Sequence, residues 1–206
     1  MKNVYLSIIF LASLISAGCS ANIDHPTISK NTESAYEETF NDLALGMLFD
    51  FNFHLPAADK RWVTLWVESY SNGEKDPQPL THFSYGNNPV EVEKGNLGFG
   101  MINPDGEDSM VFLYGPDVKS APEKVDRDLN QGLLASWDYA IGEEEVELQL
   151  GETKVLAAYR KSAGKNSMRT IDYQDEESVN SIIEDGETVL LLKIKVEEKE
   201  SEFYSN

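Results

Sequence analysis

The amino-acid sequence predicts an all-β protein, an antiparallel β-sandwich of immunoglobulin-like type with about ten strands and one or two short helices. In several stretches apolar and polar residues alternate with a period of two, which is typical of strands with one buried face. These stretches recur about every ten residues and are separated by turns rich in Asn, Gly and Pro. Strands and helices do not alternate along the chain, so a parallel sheet is not expected.

The strongest alternation begins at residue 40 and predicts the first strand. Apolar side chains occupy its odd positions, namely Leu43, Leu45, Met47, Phe49, Phe51, Phe53 and Leu55. The second strand spans residues 61–70 and carries bulky apolar side chains on both faces, as expected in the middle of a sandwich. Asn72 and Gly73 follow it, and both residue types adopt positive φ at low cost in a tight turn.

Shorter stretches predict the remaining strands and two short helices. The strands are expected at residues 80–85, 90–93, 97–102, 110–114, 133–141, 145–150, 153–161, 167–173 and 187–196. Ser120 and Pro122 suit the start of a first helix, which would bury Leu129. Asp175 is typical of an N-cap, and Ile182 would lie on the apolar stripe of the helix that follows.

The first nineteen residues have the layout of a secretory signal. An apolar run from Val4 to Ile15 is followed by small residues and then by Cys19, which is the only cysteine. The stretch ISAGC at 15–19 resembles the lipobox of bacterial lipoproteins, although Ser16 stands where many lipoboxes have Leu. The resemblance implies cleavage before Cys19, a lipid on its sulfur and anchoring at the extracytoplasmic face of a bacterial cell membrane. The alternative is an ordinary secreted protein with a free thiol.

Composition divides the chain into four parts. Residues 1–18 would be the signal peptide, and residues 19–39 are polar without a sustained period, which predicts a flexible tether. Residues 40–196 are expected to form a single sandwich domain, because two halves without a disulfide or metal would each be too small for independent stability. Residues 197–206 are expected to form a disordered tail.

The charge and the scarcity of Cys and His exclude several functions. The chain has 17 Lys and Arg against 36 Asp and Glu, which gives a net charge of −19. Binding to nucleic acid needs clustered basic residues, so it is not expected. One cysteine and three histidines exclude an intramolecular disulfide and a Cys/His zinc site. The chain contains no phosphate-binding loop, nucleophile elbow or HExxH motif.

Two groups of oxygen-rich side chains are candidates for a metal site. The first group shares one face of the first strand and the second lies in a loop; together they are Asp50, Asn52, His54, Asp105, Glu107 and Asp108. Such oxygen donors suit calcium, which would relieve the repulsion among the excess carboxylates. The alternatives are a solvated outer strand face for the first group and an acidic turn for the second.

Two further groups are candidates for ligand binding. Trp62, Trp66 and Tyr70 have i, i+4 and i+8 spacing on one strand face, where they would either stack on sugar rings or pack in the core. Four basic residues lie within ten positions; they are Arg160, Lys161, Lys165 and Arg169. They would offer the only basic patch of the chain to an anionic polymer, a membrane headgroup or an acidic partner, and the alternative is a locally balanced surface.

The sequence thus favours a non-catalytic, lipid-anchored binding module at the bacterial cell envelope, whose partner would be an envelope protein or a wall polymer. No cofactor is expected unless calcium binds. One alternative is a carboxylate-based polysaccharide hydrolase, which would need two carboxyl groups about 5 to 10 Å apart in a groove lined by aromatic residues. The other is a calcium-stabilised surface module.

Overall fold

The computed structural model describes residues 25–126, 129, 132, 134–162 and 171–198. They form two antiparallel sheets that pack face to face, which confirms the predicted all-β sandwich. The strands are β1 Thr27–Lys30, β2 Gly46–Pro56, β3 Arg61–Ser71, β4 Glu74–Lys75, β5 Thr81–Gly86, β6 Val92–Ile102, β7 Met110–Gly115, β8 Val118–Lys119, β9 Glu123–Lys124, β10 Leu134–Tyr139, β11 Val146–Glu147, β12 Thr153–Ser162 and β13 Thr188–Glu198. The α-helices are α1 Ala35–Asp42 and α2 Glu176–Asp185.

Sheet A has the strand order β11-β1-β2-β6-β7-β8, and β9 also pairs with β7. Sheet B has the order β10-β12-β13-β3-β4, and β5 also pairs with β3. The longest pairings, β2 with β6 and β3 with β13, each run over eleven residues in continuous register. Each of these pairs lies in the middle part of its sheet, and the short strands lie around them.

The core consists of the inward faces of the two sheets. Phe49, Phe51 and Phe53 project inward from β2, as the period-two pattern predicts, and meet Leu65 of β3 and Leu192 of β13. All five side chains are almost fully buried. Burying large apolar side chains contributes about 2 kcal/mol each, so this interior is the main source of stability.

The prediction of a flexible tether over residues 19–39 is wrong from Thr27 onward. Ile28 is buried in the core and β1 pairs with both β2 and β11. The Ser34 side chain accepts a hydrogen bond from the Glu37 N–H and so caps α1, which packs on β2. Four strand residues and a capped helix are too short for a clear periodic signal, and their stability comes from packing.

The helix predicted near residue 120 is replaced by extended chain. The Ser120 hydroxyl accepts a hydrogen bond from the Leu113 N–H instead of capping a helix. The Val125 N–H bonds to the Ser109 carbonyl, and β9 lies along β7. Leu129 is buried in the core, although not on a helix. Residue 133, which the prediction included, lies outside the described residues.

Other elements differ from the prediction mainly in their bounds. The strands predicted at 90–93 and 97–102 are one strand, β6, because β2 pairs with it without interruption. The strand predicted at 145–150 is only β11, and residues 171–173 do not continue a strand. β13 extends to Glu198, two residues into the predicted tail, and the rest of that tail lies outside the described residues. The Asp175 N-cap of α2 is as predicted.

Candidate functional site

Helix α2 covers only part of the outer face of sheet B. Ile182 and Ile183 of α2 pack with Tyr70, Val189 and Leu191 in a second buried cluster outside the main core. Tyr70 and Val189 are paired across β3 and β13, as are Glu68 and Leu191. The cluster therefore covers the end of β3 near Tyr70, and the other end of the same face begins at Trp66.

The uncovered part, called the open face below, carries two tryptophans. Trp62 and Trp66 are partly exposed and lie on one face of β3, about 13 Å apart along the strand. Cross-strand register sets further polar side chains beside them on the same face. The open face comprises Trp62, Thr64, Trp66, His82, Ser84, Lys193, Lys195 and Glu197.

Glu68 fixes the orientation of the Trp66 ring. Its carboxylate accepts a hydrogen bond from the Trp66 indole N–H at 3.2 Å and one from the Tyr70 hydroxyl at 2.6 Å. Lys193 and Lys75 bond to the same carboxylate at 2.8 and 2.9 Å. One of the two tryptophans is therefore held in place before any ligand binds, which lowers the entropic cost of binding.

These contacts also determine the charge of Glu68. Burial opposes ionisation, but hydrogen bonds from Lys193, Tyr70 and Lys75 outweigh it and lower the pKa of Glu68 from 4.5 to about 2. Glu68 is thus a carboxylate at neutral pH and has no proton to donate to a substrate. Burial, then the hydrogen bond to Glu68 and its charge, raise the pKa of Tyr70, which keeps its hydroxyl protonated.

Glu68 should make folding sensitive to acid. Its pKa is lower in the folded chain than in the unfolded chain, so its contribution is complete above pH 4.5 and is lost as the pH falls towards 2. Between pH 6 and pH 2.5, the free energy of unfolding measured in urea should fall by about 2 kcal/mol less in Glu68→Gln than in the wild type. The exposed Glu74→Gln should leave the pH profile unchanged. An unaltered profile for Glu68→Gln would contradict the proposed network.

Tyr70 does not join the two tryptophans on the open face. It shares their side of β3, as its spacing predicts, but only 9% of its surface is exposed because α2 packs over it. The predicted row of three aromatic side chains is therefore a row of two.

The predicted basic patch does not form an exposed surface where the structure describes it. Arg160 bonds to Asp138 at 2.7 Å, and its side chain is only 12% exposed. Lys161 is buried and bonds to Asp105 at 3.0 Å. Both cations are thus largely buried and engaged with carboxylates, which does not fit a docking patch. Lys165 and Arg169 lie outside the described residues.

Asp50 is buried, whereas a solvated outer strand face, the alternative prediction for this group, would expose it to water. Four neutral side chains donate hydrogen bonds to its carboxylate: Asn31 at 2.9 Å, Ser34 at 2.5 Å, Asn96 at 2.8 Å and Tyr114 at 2.8 Å. The donors come from the chain before α1, from β6 and from β7, so Asp50 joins these elements. Asn52 is exposed and His54 is partly exposed on the same face. The occupied Asp50 oxygens leave little capacity for a metal ion.

The second metal candidate is divided among ion pairs. Asp105 bonds to Lys161, Asp108 bonds to Lys124, and Glu107 is exposed. Among the described residues, no three His, Cys, Asp or Glu side chains come close enough together to hold a metal ion. The structure therefore does not bring the two sets of calcium candidates together as a site.

Glu93 is a buried group that sequence patterns do not single out. It projects inward from β6 at the level of Leu55, and neither of its oxygens has a partner in good hydrogen-bond geometry among the described residues. Burial raises the pKa of Glu93; the nearby Asn88 side chain opposes this shift and Asp117 adds to it. The Tyr85 hydroxyl is buried and equally without such a partner. Apart from these buried polar atoms, nothing among the described residues indicates that Glu93 and Tyr85 bind a ligand.

A shallow polar cleft of about 560 Å³ lies beside α1. Four acidic residues, four neutral polar residues and one lysine line it: Lys30, Asn31, Thr32, Ser34, Glu37, Glu38, Asn41, Asp42 and Glu143. Asn31 and Ser34 use their side chains to bind Asp50, and Lys30 lies over the Tyr139 ring, 4.5 Å from its centroid. These contacts attach α1 to the sandwich, and acidic side chains at a helix start stabilise it.

Sequence reasoning missed Lys193, Lys195 and His82 as members of the open face. Lys193, Lys195 and Glu197 alternate with the buried Ile194 and Val196, which signals a polar face on the last strand. The sequence has no comparable signal that this face lies beside Trp66, because strand pairing is not readable from alternation.

No family model, curated protein or solved structure matches the chain. Cys19 and the lipobox-like stretch lie outside the described residues. Neither of the described α-helices has the length and apolar character needed to cross a membrane.

Proposed function

We propose that the chain is a lipid-anchored, extracytoplasmic binding module of the bacterial cell envelope, and that its open face binds an anionic glycan polymer of the cell wall. The observation that carries this proposal is the position of Trp62 and Trp66 on a sheet face that α2 leaves uncovered. The lipobox-like stretch ending at Cys19 supports the anchor.

The chemistry of the open face favours a glycan. The flat aromatic faces of two tryptophans offer apolar surfaces on which sugar rings stack. Thr64, Ser84 and His82 lie among them and can exchange hydrogen bonds with sugar hydroxyls.

The charges favour an anionic glycan. Lys193 and Lys195 lie in a chain whose net charge is −19, so most of the surface repels a polyanion. Lys193 is shared with Glu68, and Lys195 with Glu197 at 2.9 Å. The pairing positions both lysines before binding. Lys75 also bonds to Glu68, so three lysines are paired with two carboxylates and this group keeps one net positive charge.

Binding without cleavage fits the state of Glu68. Glu68 bonds to Trp66, but it is ionised and engaged by two lysines, so it cannot act as the acid of a hydrolase at neutral pH. The open face holds a polymer in this proposal and does not cut it.

Sedimentation with purified bacterial cell walls tests the proposal. The full-length protein in detergent should sediment with walls that carry an anionic polymer, and less so at high salt because the lysine contacts are screened. Trp66→Ala should raise the Kd about tenfold, because it removes a stacking surface worth about 1.4 kcal/mol. Trp62→Ala should act in the same direction.

Trp137→Ala is the matched control. Trp137 is 59% exposed on β10, on the opposite side of its strand from the residue that bonds to Arg160. Its loss should leave sedimentation unchanged. No sedimentation of the wild-type protein, or equal losses for Trp66→Ala and Trp137→Ala, would contradict the proposed site. A protein that co-sediments and is needed for binding would favour an envelope protein as the partner.

A further inference from the structure

The first strand shows at which end of the sandwich the chain from Cys19 enters. Only seven residues lie between Cys19 and Thr27 in the sequence, and even when the chain is fully extended these two residues are at most about 29 Å apart. Thr27 pairs with Glu147 on one side and His54 on the other, and His54 pairs with Lys94. These four residues form one row across sheet A.

The loop 87–91 extends beyond this row. Pro56 pairs with Val92, two residues further along β2 and β6 than His54 and Lys94. The Ala58 N–H bonds to the Glu91 carbonyl at 2.9 Å, and the Asn88 N–H bonds to the Ala58 carbonyl at 3.1 Å. The loop is thus held firmly at the end of the sandwich that is nearest to Thr27.

This end exposes apolar side chains. Val90 and Val92 are each 49% exposed, and Pro89 beside them is also exposed. Lys60 and Lys94 are exposed at the same end, where their charges offset those of Asp59 and Glu91. Glu147, in the row that contains Thr27, is also exposed, so this end carries carboxylates as well as the two lysines.

The opposite end of the sandwich lies almost at the full reach of the chain segment that follows Cys19. Gly46 and Ile102 are paired at the other end of β2 and β6, eight residues from the row of His54, which corresponds to about 27 Å. The acidic loop with Asp105, Glu107 and Asp108 follows β6 at that end. Asp105 and Asp108 are paired with lysines, but Glu107 is exposed, and repulsion between its carboxylate and anionic lipids favours keeping this loop away from the membrane.

We propose that the end carrying Val90 and Val92 rests on the lipid surface to which Cys19 is attached. This inference rests on the lipid anchor of the proposed function. Each valine gains only about 1 kcal/mol from contact with lipid, which would be too weak for a free protein. A short link to an anchored residue makes the contact effectively intramolecular, so a weak apolar contact suffices to orient the sandwich. The open face then lies on a side of the upright sandwich and is accessible to a polymer.

Site-specific labelling tests this orientation. Because Cys19 is the only cysteine and would be lipidated, Val92→Cys creates a single free thiol for an environment-sensitive fluorophore. Glu107→Cys provides the matched control at the opposite end. The full-length protein is reconstituted in phosphatidylcholine–phosphatidylglycerol vesicles that contain a spin-labelled quencher lipid. We expect at least threefold stronger quenching at position 92 than at 107.

Flotation of the vesicles distinguishes the claim that a lipid on Cys19 anchors the protein from the claim that the end with Val90 and Val92 contacts the lipid surface. If the protein floats with the vesicles and the quenching is equal at the two positions, the anchor stands and the orientation is wrong. If the protein does not float, the lipid anchor of the proposed function fails and the orientation fails with it. Thermal melts of the labelled variants that match the wild type verify that neither substitution disturbs the fold.

Discussion

Asp50→Ala should lower the free energy of unfolding by about 4 kcal/mol. The Asp50 side chain is fully buried and accepts hydrogen bonds from Asn31, Ser34, Asn96 and Tyr114. Removing the carboxylate leaves Asn31, Ser34 and Asn96 without this acceptor, while Tyr114 keeps only the Phe49 carbonyl. Each buried donor without a partner costs about 1 to 3 kcal/mol. Urea unfolding monitored by fluorescence and circular dichroism gives the value.

Asn52→Ala is the matched control for Asp50→Ala. Asn52 is two residues along on the same face of β2 but is exposed, so its loss should change stability by less than about 0.5 kcal/mol. Asp50→Asn keeps the shape but sets an N–H group against other donors, so we expect an intermediate cost. A loss below about 1 kcal/mol for Asp50→Ala would show that the network does not hold α1 on sheet A.

Gly98→Ala should be about as damaging, with an expected loss of about 3 kcal/mol. Gly98 lies in register between Asp50 of β2 and Tyr114 of β7. A methyl group at this position would lie 2.0 Å from the Phe49 carbonyl oxygen and 2.5 Å from the Tyr114 hydroxyl oxygen. Because the neighbouring atoms include backbone, the clash requires a shift of the sheet itself.

Gly142→Ala is the control for this substitution, because nothing lies within 4 Å of the added methyl group. Its stability should stay within about 0.5 kcal/mol of the wild type. Urea unfolding of both variants makes the comparison. Equal stability of Gly98→Ala and Gly142→Ala would contradict the close approach of Tyr114 to Asp50.

The burial of the inward face of β2 is predictable from sequence, but the burial of side chains on its outward face is not. Alternation places Phe49, Phe51 and Phe53 inside, and this prediction is confirmed. The same rule predicts that Asp50 points outward into water. It is buried instead, because the chain around α1 covers that part of sheet A. Ser34 and Asn31 carry no pattern that reveals their distant partner, since a hydrogen bond across the fold leaves no local period.

The same limit applies to the open face. The spacing of Trp62, Trp66 and Tyr70 correctly predicts that they share one side of a strand. Whether each is covered depends on where α2 packs, and α2 follows more than a hundred residues later in the chain. Register with β13 then brings Lys193 to Trp66, which alternation alone does not specify.

Oxidative footprinting of the three tryptophans tests the central claim most directly. The full-length protein is exposed to hydroxyl radicals with and without solubilised anionic wall polymer, and oxidation of each tryptophan is measured by mass spectrometry. The proposed function predicts protection of Trp62 and Trp66 and unchanged oxidation of Trp137, which is exposed on β10. Protection of Trp137 alone, or of none of the three at saturating polymer, would contradict binding at the open face.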